Sequence, residues 1–457
     1  MYAAGILHFP NHLPDDCRFA KFRGAYKVSN KSLHFCGNHL IWTVERTQRT
    51  FRVQIVEPNS YDASKHPAIF DAAIQALLSP RPSNIDGTAR RSTPLVGEPF
   101  DLMTFPEAFL PAEHLLASLT QLSQLPSLGC IHVGLLPSTQ GSHLFTTSNL
   151  RTLRDSLLRT PNTDQKDLER FSYWLDSQPA ERRFNVACLF TIDSAGCLRL
   201  CLHPKLQRSK FEFSALPENM MDEGSLLTVV TLRPTDKRFL TVSLQPLICS
   251  DVLLLGTDSG GSRPLEAVHL DAECLGEDPP DHIDVVSVVA CTPQNETREP
   301  RPHRTWKSAF KDAFHRAATD DAISRHRFAT FVLANFGLDP QSRPGGLSGV
   351  FFPITPSSKF PSAISVSCWG KPRGEADLRW SNPTEDYSTW KVKGHIASLD
   401  PYTDGSGSVA RMLGLTFAAL PRGMSLWNQP LGIGNCQIRH GKYAADQSIV
   451  FDETPHG

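Results

Sequence analysis

Three side chains of complementary chemistry stand at the ends of apolar, strand-like runs. Cys249 lies in Leu244-Gln245-Pro246-Leu247-Ile248-Cys249-Ser250-Asp251, just after the strand-like stretch 239–244. Glu107 closes the run Phe100-Asp101-Leu102-Met103-Thr104-Phe105-Pro106, and Lys205 follows the strand 197–202 in His203-Pro204-Lys205. Cleaving an amide or nitrile C–N bond at neutral pH needs a better nucleophile than water. A thiolate is one, but a free thiol with a pKa of ~8.5 is only slightly ionised there. A carboxylate can take the proton as attack proceeds, and an ammonium is a charge-assisted donor for the oxyanion that forms. Glu107, Lys205 and Cys249 thus match base, oxyanion partner and nucleophile. Glu212 is the candidate second carboxylate, placed to orient Lys205 or to activate the deacylating water. Lys210 is the alternative lysine, and Asp251 reads as the acid of a helix N-terminus.

These residues need rigid mounts. The first clear strand is 51–56, followed by a helix with Ile69, Ala72, Ala73, Ala76 and Leu77 on one face. Residues 80–99 are rich in Pro, Arg, Ser and Gly and read as a surface loop. A strand ending at Glu107, a helix bearing Leu115, Leu116, Leu119 and Leu122, and a strand over 130–136 come next. Residues 137–183 read as an insertion carrying polar helices. Two pairs of strands follow, 185–192 with 197–202 and 227–232 with 239–244. Further strands are expected at 283–290, 331–334, 350–352, 364–368 and 412–420, with a helix over 306–318. This alternation predicts an α/β chain whose sheets are covered by helices, with its site at strand ends. Residues 1–49, weakly periodic, read as an N-terminal extension. The main domain spans 50–370, and 371–457 form a C-terminal extension packed on that domain or on a dimer interface.

Composition narrows the function. The chain has 457 residues, 40% hydrophobic and 20% charged, enough for a substantial core. A net charge of -1 gives no whole-chain case for nucleic acid or an anionic membrane surface. No apolar run approaches the ~20 residues that span a bilayer, and the N-terminus lacks the pattern of a secretory signal. Eleven cysteines, an odd number and none in Cys-x-x-Cys spacing, fit a reducing compartment. Cys188, Cys197, Cys201, Cys291 and Cys368 read as small core residues. A cytoplasmic protein is expected.

In sequence order the motifs resemble the carbon-nitrogen hydrolase family, the nitrilase superfamily. Phe105-Pro106-Glu107 is similar to the family's general-base segment, and Phe184-Asn185-Val186-Ala187 with Asp193-Ser194-Ala195-Gly196 to its Asn-bearing strand and glycine turn. Pro204-Lys205 falls where the family has its lysine, and Leu247-Ile248-Cys249-Ser250-Asp251 resembles its nucleophile turn. Ala334-Asn335-Phe336-Gly337 and the stretch 346–353 resemble later family segments. Ser250 stands where the family commonly places an aromatic residue.

The resemblance implies a four-layer α-β-β-α sandwich, a homodimer paired through outer helices, and a thioester intermediate formed without metal or organic cofactor. The implied activity is hydrolysis of a small-molecule amide or nitrile, a non-peptide C–N bond. Two other readings stay open: a nitrilase-like module kept for binding or regulation in a multi-protein system, and an acyltransferase of the same fold.

Overall fold

The computed structural model describes residues 36–45, 50–78, 100–209, 212, 220–237, 239, 241–255, 280, 283–293, 326, 329–338, 340, 345, 348–354, 378–380, 393–399, 407–418 and 433–453. In chain order the elements are β1 (Cys36–Val44), β2 (Thr50–Pro58), α1 (His66–Leu78), β3 (Leu102–Thr104), β4 (Leu110–Pro111), α2 (Ala112–Leu122) and β5 (Leu128–Leu136). Then come β6 (Phe145–Thr146), α3 (Thr147–Leu158), a 3-10 turn (Gln165–Leu168), α4 (Glu169–Asp176) and β7 (Arg183–Phe184). The next strands are β8 (Val186–Ile192), β9 (Leu198–Pro204), β10 (Leu226–Pro234), β11 (Val242–Ile248), β12 (Val285–Val289) and β13 (Thr330–Ala334). The last are β14 (Gly349–Ile354), β15 (Leu378–Trp380), β16 (Lys393–Leu399), β17 (Ala410–Ala418), β18 (Ile433–Tyr443) and β19 (Ile449–Glu453).

The chain is a mixed α/β protein built on two sheets. The first has the order β19-β18-β17-β2-β3-β5-β8-β9, with β4 added on β5; the second has β1-β10-β11-β12-β13-β14-β16-β15. Their inner faces share one apolar slab, with Trp42, Val230, Leu244 and Val285 from the second sheet against Val53, Leu102, Leu189 and Leu413 from the first. The outer face of the first sheet is covered by α1 and α2. Ile69, Phe70, Ala73, Ile74 and Leu77 form the stripe that α1 buries, and Leu115, Leu119 and Leu122 that of α2. With apolar layers on both faces, β8 is buried at every position and reads Val-Ala-Cys-Leu-Phe-Thr-Ile. Cys188 and Cys201 are buried as expected, whereas Cys197 and Cys291 are only half-buried.

Several boundaries differ from those expected. Cys36–Val44, within the stretch read as an N-terminal extension, is a strand lying parallel to β10 along its whole length. Polar Asn38 and His39 face Thr228 and Thr231 of β10, which masks the period-2 pattern in the sequence. β15 to β19, from the stretch read as a C-terminal extension, also join the two sheets. β11 continues to Ile248 instead of ending at Leu244. Its ladder to β10 covers only Val242 to Leu244, so Pro246 interrupts no antiparallel pairing, and Leu244 to Ile248 run parallel to β12. Within 137–183, β6 pairs with β7 and closes the helical excursion at its base. The helix expected at 306–318 and the strand expected at 364–368 lie outside the described residues. Among the described residues no helix is long and apolar enough to cross a membrane.

Candidate functional site

Glu107 sits on a bulge. The strand expected to end at Glu107 ends at Thr104, but its pairing with β5 resumes beyond a two-residue protrusion. Gly134 N–H donates to the Pro106 carbonyl at 3.0 Å, and Phe109 N–H donates to the Gly134 carbonyl at 3.0 Å. Glu107 and Ala108 therefore project between two bonds to one residue. Ala108 has φ of 49°, in the left-handed region. The backbone passes so close that a Cβ on Gly134 would lie 2.4 Å from the Glu107 Cα. Glycine at 134 is thus what lets the bulge seat.

The bulge delivers Glu107 to Lys205, which follows β9. Lys205 Nζ donates to Glu107 Oε1 at 2.6 Å and to Glu212 Oε1 at 2.8 Å, and all three side chains are buried. Asn185, just before β8, donates from Nδ2 to the same two oxygens, at 2.7 Å and 3.3 Å. The second oxygens are held from the main chain: Cys291 N–H donates to Glu107 Oε2 at 3.0 Å and Ser209 N–H to Glu212 Oε2 at 2.7 Å. Burial opposes the charge on Lys205, but Cys249, Glu107 and Glu212 beside it outweigh burial and hold the ammonium well above the usual lysine range. Burial likewise opposes ionisation of Glu212, yet Lys205 and Ser209 hold its carboxyl below the ordinary range.

Cys249 comes from the other sheet. It follows β11 with φ of 49° and opens the 3-10 turn Cys249–Leu255. A non-glycine residue in that region carries strain and needs outside support. The next two residues supply it. Asp251 accepts N–H bonds from Leu206 and Gln207, each at 2.8 Å, and from Ile248 at 3.1 Å. Ser250 Oγ donates to the Gln207 carbonyl at 2.6 Å. The Cys249 turn is stapled to the loop that carries Lys205. Ser250 uses its hydroxyl in that staple. Burial pushes the Cys249 thiol well above its usual range; Glu107 and Glu212 add to this, while Lys205 and the Cys291 N–H oppose it. The resting sulfur at neutral pH is therefore a thiol.

Glu107, Lys205 and Glu212 thus meet in one buried hydrogen-bonded cluster, and buried Cys249 lies near enough for their charges to act on its sulfur. Lys210 lies outside the described residues. Asp251 stands in the first turn of its 3-10 segment, as expected of an acid there, and also ties two loops together. Burial pushes its carboxyl up to about 8. A scan of protein-family models finds no match to this chain, and a search of curated proteins finds none.

Other neighbours were not chosen as site residues from sequence. Asn185 bridges both carboxylates; in the sequence it stands only as part of the Asn-bearing strand resemblance. Cys291, read as a core thiol, contributes its main-chain N–H. Asn335 fixes that segment: its Oδ1 accepts from Thr292 N–H at 3.1 Å, while its own N–H donates to Ser348 Oγ at 3.0 Å. Tyr61, from the loop before α1, packs edge-on against Phe336 with ring centroids 5.2 Å apart. Burial, with Cys291 and Glu107 nearby, pushes its phenol above the ordinary range, so it stays a neutral donor. A main-chain donor leaves no residue-type signal, and Tyr61 sits in a loop without periodicity. Among the described residues no group of three or more His, Cys, Asp or Glu side chains could hold a metal ion.

Proposed function

We propose that this protein is a thiol hydrolase of the carbon-nitrogen hydrolase type, cleaving a small-molecule amide through a thioester on Cys249. The observation that carries this reading is the buried Glu107–Lys205–Glu212 cluster, bridged by Asn185 and set against a thiol on a left-handed turn. Burying three charges is costly, and replacing them with apolar residues would often be neutral or stabilising. A fold kept only for binding has no need of that arrangement, whereas amide cleavage uses each part. Glu107 takes the thiol proton as Sγ attacks the carbonyl carbon, and the oxyanion turns to the Lys205 ammonium. The proton held by Glu107 passes to the leaving nitrogen as the C–N bond breaks. Water, deprotonated by Glu107 or Glu212, then attacks the thioester, releasing the carboxylic acid and restoring the thiol.

Asn185 Oδ1 favours an amide over a nitrile. It is buried beside both carboxylates and accepts no hydrogen bond among the described residues. A carboxamide brings N–H groups to such an acceptor, and a nitrile brings none. The four-layer α-β-β-α arrangement, a homodimer paired through outer helices and a cytoplasmic location belong to the same proposal. They are supported by the two facing sheets, the helices on the first of them, and the cysteine usage of the sequence. The test is ammonia release from an amide panel. Cys249→Ala is expected to lower it by at least ~10³-fold with an unchanged melting curve. Undiminished release would refute the nucleophile, and loss of folding would make Cys249 a core thiol.

A further inference from the structure

The candidate machinery is divided between the two sheets. Glu107 and Lys205 belong to the first sheet, beyond β3 and β9, and Cys249 and the Cys291 N–H to the second, beyond β11 and β12. Their separation therefore depends on how the sheets sit on one another. Apolar packing in the shared slab is strong but non-directional, so it does not by itself fix an offset to a few tenths of an ångström. At the site itself Glu107 N–H donates to the Ala290 carbonyl and Cys291 N–H to Glu107 Oε2, and among the described residues a hydrogen-bonded chain of side chains also crosses the slab. Thr104 Oγ1 and Ser287 Oγ are 3.0 Å apart, Ser287 Oγ and His132 Nδ1 are 2.8 Å apart, and His132 Nε2 and His203 Nε2 are 3.0 Å apart. All four side chains are buried.

Each of these residues stands just upstream of the site on its own strand. Thr104 ends β3 before the Glu107 bulge. His132 precedes Gly134 on β5, and its carbonyl accepts the Phe105 N–H at 2.9 Å. His203 is two residues before Lys205, and Ser287 is on β12, which leads to Cys291. One residue from each strand that feeds the cluster from β3, β5, β9 and β12 is thus tied into a single column. Burial keeps both imidazoles neutral, with His203 pushed down to about 3, so the Nε2–Nε2 contact holds one shared N–H and no ionic repulsion.

We infer that Thr104, Ser287, His132 and His203 are positioning residues, a cross-sheet hydrogen-bonded column that sets the spacing between the Glu107–Lys205 half and the Cys249–Cys291 half of the site. The inference deepens the hydrolase reading and rests on it for its catalytic consequence. Its geometric content can be tested without any substrate.

The rate at which iodoacetamide alkylates Cys249, mapped by peptide mass and followed against pH, reports how tightly the thiol is enclosed. In the intact protein the rate stays low well above the ordinary thiol range of ~8.5. In Ser287→Ala and His203→Leu the enclosure loosens, and the profile falls by one pH unit or more, with about tenfold faster alkylation at pH 7. His203→Gln, which keeps a polar head at that position, is expected to return the profile toward the wild type. Leu413→Ala, a cavity elsewhere in the same slab, is expected to lower the melting temperature without moving the profile. If an amide substrate is in hand, the two column variants lose kcat by about 10- to 100-fold with KM little changed, as expected when alignment and not binding is lost. An unmoved profile in both column variants, or an equal shift in Leu413→Ala, overturns the inference. If no amide is ever cleaved but the profile shifts as stated, the hydrolase reading fails while the column stands as the device that sets this spacing.

Discussion

Lys205 holds two carboxylates together where solvent is excluded, so its removal leaves like charges facing each other. Lys205→Met is expected to cost about 3–5 kcal/mol, measured by urea unfolding at neutral pH, because the remaining charges lose their only shared cation among the described residues. Glu107→Gln keeps an oxygen for Lys205 but removes the base. Acylation is expected to slow by about 10²- to 10⁴-fold in single-turnover assays while the protein stays folded. At this scale the sequence was most informative. Glu107, Lys205, Glu212 and Cys249 are carried by residue type and order; the first three are hydrogen-bonded together, and Cys249 lies within reach of their charges. Asn185 and the Cys291 N–H were missed because one is a neutral amide at a strand entrance and the other is backbone. Neither a bridging role nor a main-chain donor can be read from residue type alone.

The elements matter through two small devices, the bulge after β3 and the staple beyond β11. Gly134→Ala would press a methyl onto the Glu107 backbone, 2.4 Å from its Cα and 2.5 Å from the Ala108 nitrogen. Because main chain and not a flexible side chain must move, a loss of about 1–3 kcal/mol is expected. Amide cleavage should fall further than stability does, since the bulge carries the proposed base. Asp251→Ala strands three N–H groups at about 1–3 kcal/mol each, and thermal melts should show it among the most damaging single changes near the site. The elements themselves were largely legible, since β5, β8, β9, β12 and β13 follow mainly apolar runs and α1 and α2 show clear helical stripes. What the sequence hid was irregularity. A strand that pauses for two residues looks like one that ends, a proline inside β11 reads as a boundary, and polar pairs on β1 erase its alternation.

For the whole molecule, buried titratable groups set how stability follows pH. His66 is pushed down to about 4 and His203 to about 3, both by burial, so the unfolded chain binds more protons than the native one below the ordinary value of 6.5. Stability from these groups is present above pH 6.5 and is lost as pH falls toward 4, by about 3 kcal/mol for His66 alone. Glu223 and Asp251, pushed up by burial to about 7 and about 8, act in the opposite sense. Their contribution is full at acid pH and is lost as pH rises through those values. Below pH 6.5 the three buried histidines, His132 included, are opposed by three acids that burial raises, Asp167, Glu223 and Asp251, and above it Glu223 and Asp251 act without the histidines. Denaturant unfolding is therefore expected to show stability falling as pH rises from 6.5 to 8. The mixed α/β class is legible in the alternation of strands and helices, whereas two facing sheets are implied only by the family resemblance. The division of the site between the sheets was not, because which strands face each other depends on long-range packing that no local pattern encodes. The central claim is that this divided site performs covalent catalysis, and intact-mass analysis after rapid mixing with a panel of small amides tests it most directly. The account predicts an acyl adduct that maps to Cys249, forms with ammonia release and is absent from Cys249→Ala. An adduct on another cysteine, or ammonia release unchanged in that variant, would contradict it.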